Sequence, residues 1–143
     1  MIRRRSDRGQ ALVEFAIVIP VFLLLLTGLL DGSRLVFAWN GASQAARNVA
    51  RTGAVTCLSL GGCDNPSVAA AEAAQAIQMP EGGSWTVRCV DAQTLAPPSG
   101  RPCVAGDLVE VTASETVHVI TPIVSALIPT LHITATSRVE IVQ

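Results

Sequence analysis

The feature that most constrains this chain is a run of 20 residues that are all apolar or small except for one charge, Glu14. The run covers residues 11–30, and as a helix it would extend about 30 Å at ~1.5 Å per residue, enough to cross the hydrocarbon of a bilayer. Four arginines precede the run within the first nine residues, and Asp31 follows it. The positive-inside rule therefore places the N-terminus in the cytoplasm and the C-terminal part of the chain outside it.

The remaining composition bounds the size and class of the protein. At 143 residues, with 50% hydrophobic and 15% charged side chains, the chain has room for one membrane segment and one small domain. We expect a basic leader at residues 1–9, a long helix at 10–55 that spans the membrane over about 11–30, and an extracytoplasmic head at 56–143. The formal net charge of −1 offers no basic field for nucleic acid. The prediction is a single-pass protein of the cytoplasmic (inner) membrane.

The start of the apolar run combines a glycine, a glutamate and an aromatic residue at a fixed spacing. Gly9 is followed by Gln10, and Glu14 and Phe15 come one helical turn later. An ionised side chain in lipid costs a few kcal/mol, so Glu14 is a functional candidate by default. This spacing resembles the type IVb prepilin signature. Together with the AARNVARTG segment at residues 45–53, it resembles the TadE-like pseudopilins of tight-adherence (Tad/Flp) pili.

This resemblance implies a structural protein and not an enzyme. A prepilin peptidase would cut between Gly9 and Gln10, and Glu14 and Phe15 would serve recognition and assembly. The helix would then join other pilin or pseudopilin subunits through the Tad assembly machinery. Major pilins of this class are generally much shorter, which favours a minor pilin that enters or primes a Tad-like type IVb pilus for surface attachment.

Two other interpretations of the N-terminal segment stay open. A secretory signal peptide would be cleaved near Ala38, although the apolar run exceeds the usual 7–15 residues of such peptides. A permanent anchor would keep the bond between Gly9 and Gln10 intact and would carry a head that binds a ligand or surface, with no assembly step.

Small residues recur one helical turn apart along the expected helix. They form a ridge of Ala38, Ala42, Ala46 and Ala50, and Gly28 and Gly32 repeat the spacing at the membrane boundary. Small residues allow helix backbones to approach closely, so the ridge suits packing either on the chain's own head or on a neighbouring subunit. An apolar stripe runs along Leu35, Trp39, Ala42, Ala46, Val49 and Gly53. Gly53 is the expected helix stop.

Four cysteines follow the apolar run, at positions 57, 63, 89 and 103. An even number in a short exported segment favours disulfides, and four cysteines permit three pairings. Local closure would pair Cys57 with Cys63 and Cys89 with Cys103. A zinc site is the weaker alternative, because neither interval has the two-to-four-residue gap common in structural zinc sites.

The head sequence predicts a small α+β unit. Asp64 or Asn65 before Pro66 favours a helix start, and the helix at residues 68–79 should end at Pro80. Alternation predicts an antiparallel sheet of about three strands, at residues 84–90, 108–120 and 131–142. Its inward face would comprise Trp85, Val87, Cys89, Val109, Val111, Ala113, Val117, Val119, Leu131, Ile133, Ala135, Val139 and Ile141. Glu115 interrupts this face, and a bulge, an edge position or an ion pair would each explain it.

Catalytic machinery is poorly represented in this sequence. His118 and His132 are the only histidines, and both fall on the polar face of a strand pattern. The chain has no nucleophile-elbow sequence, no metal-spaced histidine pair and no phosphate-binding glycine loop. We therefore expect no catalytic residue, no cofactor and no metal. An exported enzyme would depend on one of the two histidines.

Overall fold

The computed structural model describes residues 4–58, 62–79 and 81–142. Residues 1–3 of the expected leader, residues 59–61 of the loop between Cys57 and Cys63, and the expected helix end at Pro80 lie outside the described residues. The elements follow in the order α1 (Arg4–Thr56), α2 (Pro66–Gln75), β1 (Gly83–Val90), β2 (Leu108–His118), α3 (Pro122–Ser125) and β3 (Thr130–Glu140). The predicted α+β class is confirmed, with one long helix, a short helix and a three-strand sheet.

Helix α1 has 53 residues and continues through Pro20 and past Gly53. The expected helix stop at Gly53 was wrong, because this glycine serves close packing. A Cβ atom there would lie 2.9 Å from Cγ1 of Val109 in β2. Lack of a side chain at Gly53 therefore lets the sheet approach the helix backbone.

The sheet has the order β1–β2–β3, and both pairings are antiparallel. One face of the central strand β2 packs on the C-terminal part of α1, where Val109, Val111 and Ala113 meet buried alanines of the helix. Alanine side chains keep the distance between helix and sheet short, and the apolar surface that this contact removes from water stabilises the head.

Helix α2 begins where its sequence predicts. The side-chain oxygen of Asn65 accepts hydrogen bonds from the backbone N–H groups of Ser67 and Val68, at 3.0 and 3.1 Å, and Pro66 occupies the first turn. A 3-10 turn at Ala76–Gln78 follows. It approaches α1 so closely that a Cβ atom at Gly41 would lie 2.5 Å from the Gln78 carbonyl oxygen.

Strands β2 and β3 each end two residues earlier than predicted. After His118, the N–H groups of Ile120 and Thr121 donate to the Asp31 carboxylate and not to a strand. After Glu140, the N–H of Ile141 donates to the Asp107 carbonyl oxygen. The connection between these strands contains the short helix α3, which no sequence pattern predicted.

Two side chains that were predicted to face the core are exposed, and one carboxylate lies buried among the core residues. Leu131 is 37% exposed and Trp39 is 53% exposed, and both line an open cleft beside the helix–sheet contact. Glu115 is only 2% exposed, yet none of its three explanations applies. It lies in the central strand, directly opposite Gly83 and Ile133 in an uninterrupted register. Within the described residues, no cation pairs with its carboxylate.

Candidate membrane-anchor and assembly surface

Helix α1 divides into two halves that have different surroundings. In the free half, residues 9–37, nearly all side chains are exposed, and in the docked half, residues 38–56, one side of the helix is buried by the head. The most apolar 18-residue window of α1 has a mean hydropathy of 2.5, and the head buries none of it. By length and composition, α1 is the one helix in the described residues that fits a membrane span.

The first turns of the free half bring two of the predicted site residues together. The side-chain amide of Gln10 donates to Oε1 of Glu14 at 3.2 Å. Phe15 is exposed, and a Cβ atom at Gly9 would meet no heavy atom within 4 Å. Packing within the described chain therefore gives no reason for glycine at position 9. The residue nevertheless has a cost, because glycine inside a helix is roughly 0.5–1 kcal/mol less favourable than alanine.

The two sets of small residues differ in their neighbours. Ala42, Ala46 and Ala50 of the ridge are buried in the main core of the head, and Ala38 packs with Val117 in a second apolar cluster. The ridge is therefore covered by the chain's own sheet.

Gly28 and Gly32 have no such cover. A Cβ atom at either position would meet nothing within 4 Å, so both glycines leave a shallow open face on the helix.

Asp31 joins the free half of α1 to the head. Its carboxylate accepts hydrogen bonds from the N–H of Ile120 at 2.9 Å, and from the N–H and the hydroxyl of Thr121 at 2.8 and 2.6 Å. These bonds, chiefly that from the Thr121 hydroxyl, lower the pKa of Asp31. This role was not predicted from the sequence, where Asp31 served only to indicate orientation. The signal was the uncharged stretch at residues 119–131, whose backbone needs an acceptor.

A second polar contact lies one turn further along α1. Arg34 forms an ion pair with Glu81 and also donates to the backbone oxygen of His118 at 3.1 Å. The other oxygen of Glu81 accepts hydrogen bonds from the ring Nδ1 and from the backbone N–H of His118, each at 3.0 Å. The hydrogen bonds from His118 and the charge of Arg34 lower the pKa of Glu81. This cluster fixes the end of β2 to the helix.

The histidines do not form a shared site. His118 is bonded to Glu81, and Nδ1 of His132 lies 3.1 Å from the Thr116 hydroxyl. Each ring is therefore engaged with a neighbour on the exposed side of the sheet, and the geometry gives no support to the interpretation as an exported enzyme.

The four cysteines form two disulfides, Cys57–Cys63 and Cys89–Cys103. This is the locally closed pairing that the sequence predicted. Both sulfurs of each pair are consumed, so the cysteines provide no thiolate for zinc.

Charged side chains also hold the far end of the head. Arg101 pairs with Asp91 at 2.9 Å and with both carboxylate oxygens of Asp107, at 2.6 and 2.8 Å. The bonds from Arg101, together with the N–H of Val104, lower the pKa of Asp107 to about 2. The proline-rich loop between β1 and β2 is thus fastened by one disulfide and one ion-pair cluster.

Glu110 is a buried carboxylate that forms ion pairs with two arginines. Nε of Arg88 donates to one of its oxygens and Nε of Arg138 to the other, both at 2.6 Å. Burial by itself would raise the pKa of Glu110, but the bonds from Arg138 and Arg88 outweigh it and lower the pKa. The three residues tie all three strands together.

Residues 9–51 match the family model described as TadE-like protein. The match begins at the predicted cleavage glycine and lies entirely within α1. No curated protein and no solved structure matches the chain. The matched segment contains Gly9, which has open space at its Cβ position, and Glu14, which accepts a hydrogen bond from Gln10. It also contains Asp31, which binds the backbone of the head. Over residues 9–51, which is most of α1 and none of the head, the chain is similar to TadE-like proteins.

Proposed function

We propose that this protein is a minor pilin or pseudopilin that is cut after Gly9, is held in the membrane by the free half of α1, and enters or primes a Tad-like type IVb pilus that serves surface attachment. The observation that carries the proposal is the exposed apolar free half, which begins at the family match and which the head leaves uncovered. A stable protein leaves such a surface uncovered when lipid or other subunits complete it.

Processing after Gly9 is supported by the surroundings of that residue. No packing within the described chain demands glycine there, and the residue weakens the helix. A protease that must bring its catalytic groups close to the backbone gains from the missing side chain. A prepilin peptidase is therefore the proposed first partner, with the leader facing the cytoplasm and the head outside it.

Glu14 is proposed to set the alignment of subunits. In the uncleaved chain its carboxylate meets the Gln10 side chain one turn away. Cleavage would create an α-amino group on Gln10, and in a helical bundle that amine can face Glu14 of a neighbouring subunit. Pairing of these charges in apolar surroundings favours one axial register over others, as single buried polar groups do in coiled coils.

Mass spectrometry of the protein from its native cell tests the proposal. We expect a mature chain that begins at Gln10, recovered in the membrane and in sheared pili. A mature N-terminus at Trp39 would instead establish a cleaved signal peptide. An intact bond between Gly9 and Gln10 would establish a permanent anchor with a binding head.

A further inference from the structure

The segment between β2 and β3 is apolar and lies close to the membrane helix. Residues 119–131 contain no charged side chain and only three hydroxyl residues, Thr121, Ser125 and Thr130. Five large apolar side chains of this segment project away from the chain and are exposed: Ile120, Ile123, Val124, Leu127 and Ile128. Leu127 is 81% exposed, so the protein itself offers it almost no cover.

The position of this segment is fixed relative to the apolar run of α1. Asp31 holds the backbone of Ile120 and Thr121. From there α3 descends beside the free half, and a cleft of about 400 Å³ is lined by Pro20, Leu23, Leu24, Thr27, Pro122 and Ile123. Leu23 lies seven residues before the end of the apolar run, so the segment reaches roughly 10 Å along the helix at ~1.5 Å per residue.

Most backbone N–H groups of the segment are satisfied without water. Three of its N–H donors bond outside α3: Val119 to Pro129 at 3.0 Å, and Ile120 and Thr121 to Asp31. Four more, at residues 125–128, donate to carbonyl oxygens of residues 121–124, at 2.7–3.3 Å. Pro122 and Pro129 have no N–H to satisfy. Irregular backbone enters hydrocarbon only when its polar groups find internal partners, and six of the eight N–H groups in residues 120–128 have one.

We propose that residues 120–128 insert into the hydrocarbon of the leaflet on the head's side of the bilayer. Hydrocarbon surrounds α1 at the depth of Leu23 and Leu24 if residues 11–30 span the membrane, and a half-bilayer of about 15 Å accommodates a descent of roughly 10 Å. The occupant of the exposed patch is therefore the lipid that already covers the helix beside it. The chain contacts the bilayer with two segments, which Asp31 joins at the surface.

This inference rests on the membrane-spanning role of α1 and does not require processing or pilus assembly. The test uses the full, uncleaved chain in phosphatidylethanolamine–phosphatidylglycerol vesicles at high lipid-to-protein ratio. Failure of the test would leave the pilin proposal intact, and the absence of pili would leave this inference intact.

A tryptophan substituted for Leu127 reports the surroundings of the segment. The emission that Leu127→Trp adds to that of Trp39 and Trp85 should be lost in vesicles made with lipids brominated on the acyl chain and should resist acrylamide in water. Val104→Trp is the matched control, because Val104 is 45% exposed and belongs to the loop at the far end of the head. Its added emission should be lost to acrylamide and unaffected by bromine.

Ile123→Trp repeats the measurement at a second position, in case Leu127→Trp fails to fold. Quenching by acrylamide and not by bromine at either folded variant would overturn the proposal. Protection from both quenchers that grows as the protein-to-lipid ratio is raised would also overturn it, because it would mean that the segment packs against a second copy.

Discussion

The free and docked halves of α1 belong to one continuous helix, yet they use small residues for different purposes. In the docked half, Gly41 and Gly53 give room to the head's own atoms, at distances that a Cβ would not tolerate. In the free half, Gly28 and Gly32 give room to nothing in the described chain. The same residue type thus marks a completed contact in one half and an open one in the other. Sequence periodicity cannot distinguish the two cases, because the partner that decides between them is distant in sequence.

The largest expected effect separates the halves by function. Glu14→Gln removes a charge from the free half at constant size. It should leave the proposed cleavage after Gly9, membrane insertion and head stability unchanged but abolish incorporation into pili, because the ion pair proposed to set the register is lost. Immunoblots of sheared pili and of membranes measure this. Glu140→Gln, the same change at an exposed position of the head, is the control, and a Glu14→Gln subunit that assembles like wild type contradicts the role of the charge.

The second effect concerns the head alone. Replacing Cys89 and Cys103 by serine opens a loop of 15 residues, which in the chain-entropy model costs about 3 kcal/mol of unfolding free energy. The same change at Cys57 and Cys63 opens a seven-residue loop and should cost about 2 kcal/mol. Denaturant titration of the full chain in detergent, followed by near-ultraviolet circular dichroism, measures both values. Membrane insertion should not change in either variant, and a loss of insertion would mean that the halves are not independent.

The third effect compares glycines directly. Gly41→Ala places a methyl group against the Gln78 carbonyl oxygen and should cost about 1–3 kcal/mol of head stability, as overpacking does. Gly32→Ala has open space around it and should leave head stability unchanged. If another helix packs on the free half, incorporation of Gly32→Ala into pili should nevertheless fall. Equal melting temperatures for the two variants would erase the distinction between the halves.

The smallest effect is electrostatic. Burial is the main cause that raises the pKa of Glu115 above its ordinary value of 4.5, and the neighbouring charge of Glu81 adds to it. An acid whose pKa is raised by folding opposes folding once it ionises. The destabilising free energy of ionised Glu115 is therefore complete above the raised pKa. It decreases as the pH falls below the raised pKa and is gone below 4.5.

Glu115→Gln should accordingly stabilise the head at pH 7 by less than about 1 kcal/mol, the net size of one hydrogen bond. The difference from wild type should shrink on acidification. Denaturant titrations at pH 7 and pH 4.5 test this prediction, with Glu140→Gln as the exposed control. A difference that grows in acid would contradict the sign of the effect.

The extent to which the sequence predicted this fold follows from where each signal lies. The apolar run, the alternating strands and the cap at Asn65 are local patterns, so the helices and strands they predict are present. Glu115 and the position of Leu131 depend on which strand is central and where the sheet leaves the helix, and these are properties of the assembled fold. Asp31 was visible as a charge, but its bonds to Ile120 and Thr121 join residues about 90 positions apart. The roles of Gly9, Glu14 and Phe15 stay predictions.

Because α1 is continuous, it is a rigid arm that connects the apolar run to the head. The helix runs on from Leu30 to the far end of the head without another proline, and Ala54 lies roughly 36 Å beyond Leu30 at ~1.5 Å per residue. The sheet is fastened along this arm, so the head turns with it. A tilt of about 20°, ordinary for a membrane helix, displaces the distal loop sideways by roughly 12 Å at that rise per residue. Bilayer thickness and neighbouring helices can thereby aim the head without any change in its internal structure.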